Sequence, residues 1–153
     1  MDSCDQNMPA EMNGKGGLRD AIRQLTPGAQ MLNALQLILD AHAIVSVTDR
    51  DGRIIYVNDR FCEISKYTRK ELIGQTHRIV KSGYHPLSFY KEIWSAITSG
   101  GTWTGDIQNQ AKDGTRYWVQ STISPIFDKQ NRIAGYGSVR TDVSAQRQLM
   151  AGL

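Results

Sequence analysis

Apolar side chains recur along this chain at two periods, and the switches between them divide it into elements. From Gln30 to His42 the positions Met31, Leu32, Leu35, Ile38 and Leu39 return every three or four residues, which predicts an amphipathic helix in need of a partner surface. Ala43–Asp49 then reads as a strand, Asp51-Gly52 as a tight turn and Arg53–Val57 as the returning strand. Asn58 has the character of an N-cap for a helix over Asp59–Lys66, and Arg69–Ile73 adds one further turn. Gln75–His85 is polar, contains Gly83, and predicts a loop or broken helix. Pro86 suits the first turn of the next helix, which carries Phe89, Tyr90, Ile93, Trp94 and Ile97 on one side and stops at Ser99-Gly100-Gly101. Three strand-like runs follow, Trp103–Ala111, Thr115–Phe127 and Arg132–Asp142, and Val143–Leu153 opens another helix.

Two strands, several short helices and a three-strand meander predict an α+β fold. Its centre is a five-stranded antiparallel sheet with helices on one face, preceded by the N-terminal amphipathic helix. Residues 1–29, rich in Gly, Asn, Asp and Met, are expected to form a flexible arm with a short helix near Leu18–Leu25. Residues 30–42 would be a flanking helix, 43–143 the domain proper, and 144–153 the start of a linker helix to an effector. The space between sheet and helices is the expected ligand site. In the run from Trp103, strand alternation puts Trp103, Gly105, Ile107, Asn109 and Ala111 on one mostly apolar face, and so places Asn109 inside. A buried amide needs partners for its donors and its acceptor, and a polar ligand with both kinds of edge would supply them.

Composition narrows the classes. A chain of 153 residues with 40% hydrophobic content can bury a core, and a net charge of +3 spread over scattered Lys and Arg argues against nucleic acid as partner. The apolar runs are too short to span a membrane and the N-terminus lacks a signal-peptide core, so a cytoplasmic domain without membrane contact is expected. Cys4 and Cys62 form no CxxC motif, and a structural disulfide is not expected. No His/Cys cluster has metal-ligand spacing, and no Ser–His–Asp or Walker pattern is present, which makes an enzyme the least expected reading.

Taken in order, Val47-Thr-Asp-Arg-Asp-Gly-Arg-Ile-Ile-Tyr-Val-Asn58, Phe61, Tyr67, Glu71-Leu-Ile-Gly74, Trp103-Thr-Gly105, Lys112-Asp-Gly114, Tyr117-Trp118 and Asp142-Val-Ser-Ala-Gln-Arg147 resemble a PAS domain, the sensory module of bacterial signalling proteins. The resemblance covers roughly Ile44 to Gln148. Light-sensing LOV domains carry Asn-Cys-Arg-Phe-Leu-Gln where this chain has Thr76-His77-Arg78-Ile79-Val80-Lys81, so His77 stands at the reactive cysteine and the cysteinyl–flavin adduct is excluded. The flavin redox and oxygen sensors, of the aerotaxis-receptor and nitrogen-fixation-regulator type, are more similar. They resemble the chain in Ser82-Gly83, His85-Pro86, Trp94, Trp103-Thr-Gly105, Asn109 and Lys112-Asp-Gly114.

That resemblance implies a flavin, FAD rather than FMN, lined by Ser46, His77, Trp94, Trp103 and Asn109, with Arg78 toward the phosphate. Trp94 would stack on the ring or pack against its edge. Asn109 would pair with the pyrimidine edge. Arg78 would offer a fork to a pyrophosphate. His77 would change charge near neutral pH. Val119 replaces a second asparagine, and Arg140 replaces the glutamine near the reactive ring nitrogen. If Arg140 points inward it would favour a reduced anionic flavin; if outward it is a surface charge, and both faces of its strand are too mixed to decide. The bland readings are that Trp94 is core, that Asn109 satisfies backbone groups at a bulge, that His77, Arg78 and His85 are solvated loop residues, and that Asp113-Gly114 is only a turn. The partners implied are the flavin, a second copy through the N-terminal helix and a covalent C-terminal effector. A cofactor-free dimerisation module is the alternative, and a haem sensor with His77 or His85 as axial ligand ranks below it.

Overall fold

The structure, a computed structural model, describes Gly17, Ala21, Leu25 and residues 28–152. The arm, its short helix and Cys4 therefore lie largely outside the described residues. The chain divides into two compact units, residues 1–38 and 39–153. Helix α1, Gly28–His42, starts two residues before its apolar period predicts and has no buried residue.

The second unit is the expected α+β fold. Strands β1 (Ile44–Asp49), β2 (Ile54–Val57), β3 (Trp103–Gln110), β4 (Arg116–Phe127) and β5 (Ile133–Asp142) form one antiparallel sheet in the order β2-β1-β5-β4-β3. Between β2 and β3 come α2 (Asp59–Ser65), α3 (Arg69–Leu72), a 3-10 turn (His77–Val80) and α4 (Leu87–Thr98); α5 (Ser144–Ala151) follows β5.

Local chemistry explains the boundaries. The β1–β2 turn is held by Asp49, whose Oδ1 accepts the N–H groups of Asp51 and Arg53, with Gly52 at φ 84. Asp128 repeats the device between β4 and β5, accepting from Gln130 and Arg132. Asn58 does more than cap α2. Its side-chain oxygen accepts from Phe61 N (3.2 Å) and Val45 N (3.0 Å), and its Nδ2 donates to Ala43 O (2.9 Å) and Asp40 Oδ1 (3.1 Å). This buried amide is thus satisfied and fastens α2 to β1. Helix α2 stops one residue before the expected Lys66, which takes the left-handed conformation (φ 62), and α3 is opened by a Thr68/Glu71 capping box. Pro86 is the N-cap of α4 rather than its first helical residue.

Both open edges of the sheet are covered. Beyond β2, Ile54 N donates to Gln75 O and Gly74 N to Ile54 O. Along β3, Lys81 bridges to Asn109, Ser82 Oγ donates to Gln108 O, and Gln108 N donates to His85 Nε2 at 2.9 Å. Gly135 lets β5 approach β1, since a Cβ there would overlap the Thr48 carbonyl. The apolar core, centred on Ile54, Val57, Phe61, Leu72, Val80, Ile93, Ile97, Ile107 and Val119, lies between the sheet and the helices.

Candidate functional site

The registers align two rows of residues across the helix-facing side of the sheet. One runs Ser46, Ser138, Ile123, Trp103, and the next runs Ile44, Arg140, Ser121, Gly105. Strand alternation sends these side chains to the same face, and Ser46, Ser121, Ser138 and Arg140 are all buried there. The parity of β5 is therefore resolved: Tyr136, Ser138 and Arg140 point in, and Arg140 is only 4% exposed.

Arg140 Nε donates to Ser138 Oγ at 2.8 Å, and among the described residues no carboxylate forms an ion pair with the guanidinium. Burial pulls its pKa down to about 10, against a smaller opposing effect of Tyr117, so it remains a cation. Ser121, opposite Arg140 in the register, is fully buried and its Oγ has no hydrogen-bond partner.

His77 closes the site from the helix side. Thr76 caps the 3-10 turn by accepting from Arg78 N, and the turn brings His77 Nε2 to 3.0 Å from Ser46 Oγ, with the Phe61 ring 5.9 Å away. Burial first, and the nearby Arg140 charge second, push its pKa down to about 3. The expectation that its charge changes near neutral pH is corrected: His77 is neutral there. Asn109 is inside as its alternation predicts, 4% exposed, and lies opposite Tyr117 in the register, whose phenol burial drives up to about 12.

Other expected residues sit differently. The Trp103 indole folds back over Gly105, where an added Cβ would come within 2.7 Å of it, and its ring meets Phe89 edge-on at 5.6 Å. It fills part of the inner face. Trp94 is 44% exposed and leans on Tyr136 (5.3 Å between centroids) and Gly52 at the β1–β2 turn. It is away from the row of polar groups, because Ile93 and Ile97 take the buried side of α4. Arg78 is exposed. His85, expected in solvent, is instead stacked on Phe89 (3.9 Å, 10°) and accepts the Gln108 N–H. Its pKa is lowered by burial and then by Arg147.

Ser121 and Ser138 complete the site without having been singled out from the sequence, and Tyr117, a landmark of the resemblance, joins them. The signal was available in β4, where Tyr117, Val119, Ser121 and Ile123 alternate with Trp118, Gln120 and Thr122. On the opposite face of β4, Trp118 receives the exit from the domain. Its backbone N–H donates to Ser144 Oγ (2.9 Å), the Arg147 guanidinium stacks 3.6 Å from its ring centroid, and Arg147 pairs with Asp106 at 3.1 Å. Tyr84 and His85 meet the same indole edge-on at 5.1 and 5.8 Å. Among the described residues no cluster of His, Cys, Asp and Glu could hold a metal, and no helix is long and apolar enough to cross a membrane.

An antiparallel sheet covered on one face by short helices, with a row of buried polar side chains on that face, is the architecture of a sensory domain. The chain belongs to the PAS domain family, whose model matches residues 41–145. It is 34% identical over 104 residues to the aerotaxis receptor of Escherichia coli (strain K12), covering 68% of this chain and 20% of that one. It is 30% identical over 113 residues to the nitrogen fixation regulatory protein of Klebsiella pneumoniae, covering 74% and 23%. The chain thus spans about a fifth of the length of these relatives. The crystal structure of a PAS domain from Colwellia psychrerythraea superposes with a TM-score of 0.62 at 26% identity, covering 75% of this chain and 98% of that one. Those relatives are a receptor and a regulator, and the chain is a PAS sensory signal-transduction domain.

Proposed function

We propose that this domain binds a flavin, FAD in preference to FMN, between the sheet and the helices and reports redox state or oxygen to an effector in a longer protein. The observation that carries the reading is the polar floor: a buried guanidinium at Arg140 with no carboxylate partner among the described residues, and opposite it in the register an orphaned buried hydroxyl at Ser121. Buried polar groups normally find partners, so this floor fits a ligand that brings acceptors. Ser46, His77 and Asn109 add donors and acceptors of the kind a pyrimidine-like edge requires. The flavin supplies electron storage when bound. Trp94 stands outside this donor set, and Arg78 at the surface suits only the phosphate end.

The protein's own part is positioning and relay. Asn109 is tied through Lys81 to the loop along the β3 edge, and that loop touches Trp118 through Tyr84 and His85. Trp118 holds α5 through Ser144 and Arg147. A continuous chain of contacts thus joins Asn109 to the exit helix, a route along which a shift at Asn109 would be relayed. The test is the absorption spectrum of the purified protein before and after dithionite, with the released cofactor identified by chromatography. A flavin band that bleaches supports the proposal; a flat visible spectrum after expression with excess FAD and FMN overturns it.

A second reading, a cofactor-free module for dimerisation through α1, is favoured by one observation. Trp103 already occupies the space over Gly105. A colourless, dimeric protein would select it. A haem sensor fits less well, because His85 Nε2 is engaged by Gln108 and His77 Nε2 by Ser46.

A further inference from the structure

The charge of the polar floor says more than its polarity. Along the inner row, Arg140 carries a full positive charge with Ser138 on its Nε, Ser121 beside it and His77 kept neutral by burial. The carboxylates nearest in sequence or register do not compensate it. Asp142 is exposed and its Oδ1 accepts from Ser144 N, while Asp106 pairs with Arg147 on the other side of the sheet. Tyr117, the remaining acidic group near it, stays protonated. The floor thus holds one net cation in a region where the field is poorly screened.

We infer that Arg140, with Ser138 and Ser121, forms a subsite for negative charge, and that it holds the two-electron-reduced flavin as an anion. The inference rests on the flavin reading above. With a two-electron donor such as dithionite, the bound ring takes up two electrons and one proton and keeps a net charge of −1. Without the cation, uptake of a second proton competes at the same pH. The balance follows from Coulomb attraction. A cation near the ring lowers the affinity of the reduced form for its last proton, as an arginine lowers a carboxylate pKa. Ser138 orients the guanidinium through Nε, and the Ser121 hydroxyl is free to donate to a ligand acceptor.

The same arrangement makes a prediction about the apoprotein: it should prefer anionic ring analogues to neutral ones. Serine and arginine occur in many buried networks, but those networks close on themselves. Here neither the guanidinium, on its charge, nor Ser121 Oγ finds a closing partner within the described residues.

The experiment is spectroelectrochemical titration of the flavin-loaded protein between pH 5.5 and pH 8, beside free flavin in the same buffers. A two-proton couple falls with pH at twice the slope of a one-proton couple, so the pH where the slope halves reports loss of the last proton. The expected result is a break at least one pH unit, a tenfold change in proton affinity, below that of free flavin, or the half slope throughout. Arg140→Gln should move the break up toward the free value and Arg140→Lys should leave it low, a split that a merely structural arginine would not produce. A flavin-loaded protein whose break coincides with free flavin, or is unmoved in Arg140→Gln, overturns the inference while leaving flavin binding intact. A protein that takes up no flavin overturns the flavin reading itself.

Discussion

The helix-facing side of the sheet is built as two unlike halves. Toward β2 the packing is apolar, with Ile54, Val57, Phe61 and Leu72 each at most 2% exposed. Across β1, β5 and β4 comparable burial, at most 5% exposed, is given to Ser46, Ser121, Ser138 and Arg140. The first half gains free energy by leaving water; the second is held in place at a cost. That cost, set beside a sufficient apolar core, is what the proposed ligand would offset.

The sharpest contrast is between truncations in the two halves. Leu72→Ala removes a fully buried side chain from the apolar half and should cost about 2–5 kcal/mol, read as a lower urea midpoint, with the flavin spectrum of the folded fraction unchanged. Arg140→Met should do the opposite. Replacing a buried unpaired cation by a long apolar side chain should raise apoprotein stability by about 1–4 kcal/mol while weakening flavin retention. If the methionine variant is the less stable apoprotein, the polar half is not held at a cost and the comparison fails.

His77 gives the pH signature of the polar half. Its folded-state pKa of about 3 lies below the ordinary 6.5, so the folded state excludes a proton that the unfolded chain accepts. The contribution is complete above pH 6.5 and is lost progressively as pH falls toward 3. Between pH 7.5 and pH 5 the wild type should lose about 2 kcal/mol more stability than His77→Asn, which keeps a hydrogen-bonding group for Ser46. Parallel pH curves for the two proteins would show that His77 is not enclosed in its neutral form.

The apolar half was legible in the sequence because burial there follows periodicity. The strand alternation also delivered Asn109, and Asp-Gly and Asn58 marked the first hairpin and the first cap. The polar half was readable only in part. Ser46, His77 and Arg140 came from resemblance, and the direction of Arg140 waited on the β5 register, since Val139 and Arg140 are equally unlike a simple inside–outside pair. Ser121 was passed over because a lone serine in a strand has no signature; its meaning comes from lying opposite Arg140. Trp94 misled because it stands four residues from Tyr90 and so reads as one apolar face with it, while Ile93 and Ile97 take the buried side of α4 and leave Trp94 at the rim. His85 misled because a histidine before proline reads as loop, and the edge strand it caps is distant in sequence.

The smallest expected effect lies on the far face of β4, where the two halves have their common output. Arg147 is half-exposed, so its stack on Trp118 and its pair with Asp106 together are worth about 0.5–1 kcal/mol. That is too little to move the global midpoint far, but it acts on a short terminal helix with Leu149 and Met150 exposed. Arg147→Gln should therefore speed amide hydrogen exchange over α5 about two- to five-fold and leave the amide of Leu72 unaffected. Arg147→Lys keeps the ion pair and loses the planar stack, so it should fall between the two. If exchange in α5 is the same in all three proteins, Trp118 does not hold the exit helix, and the relay from the polar half must leave the sheet through β5 alone.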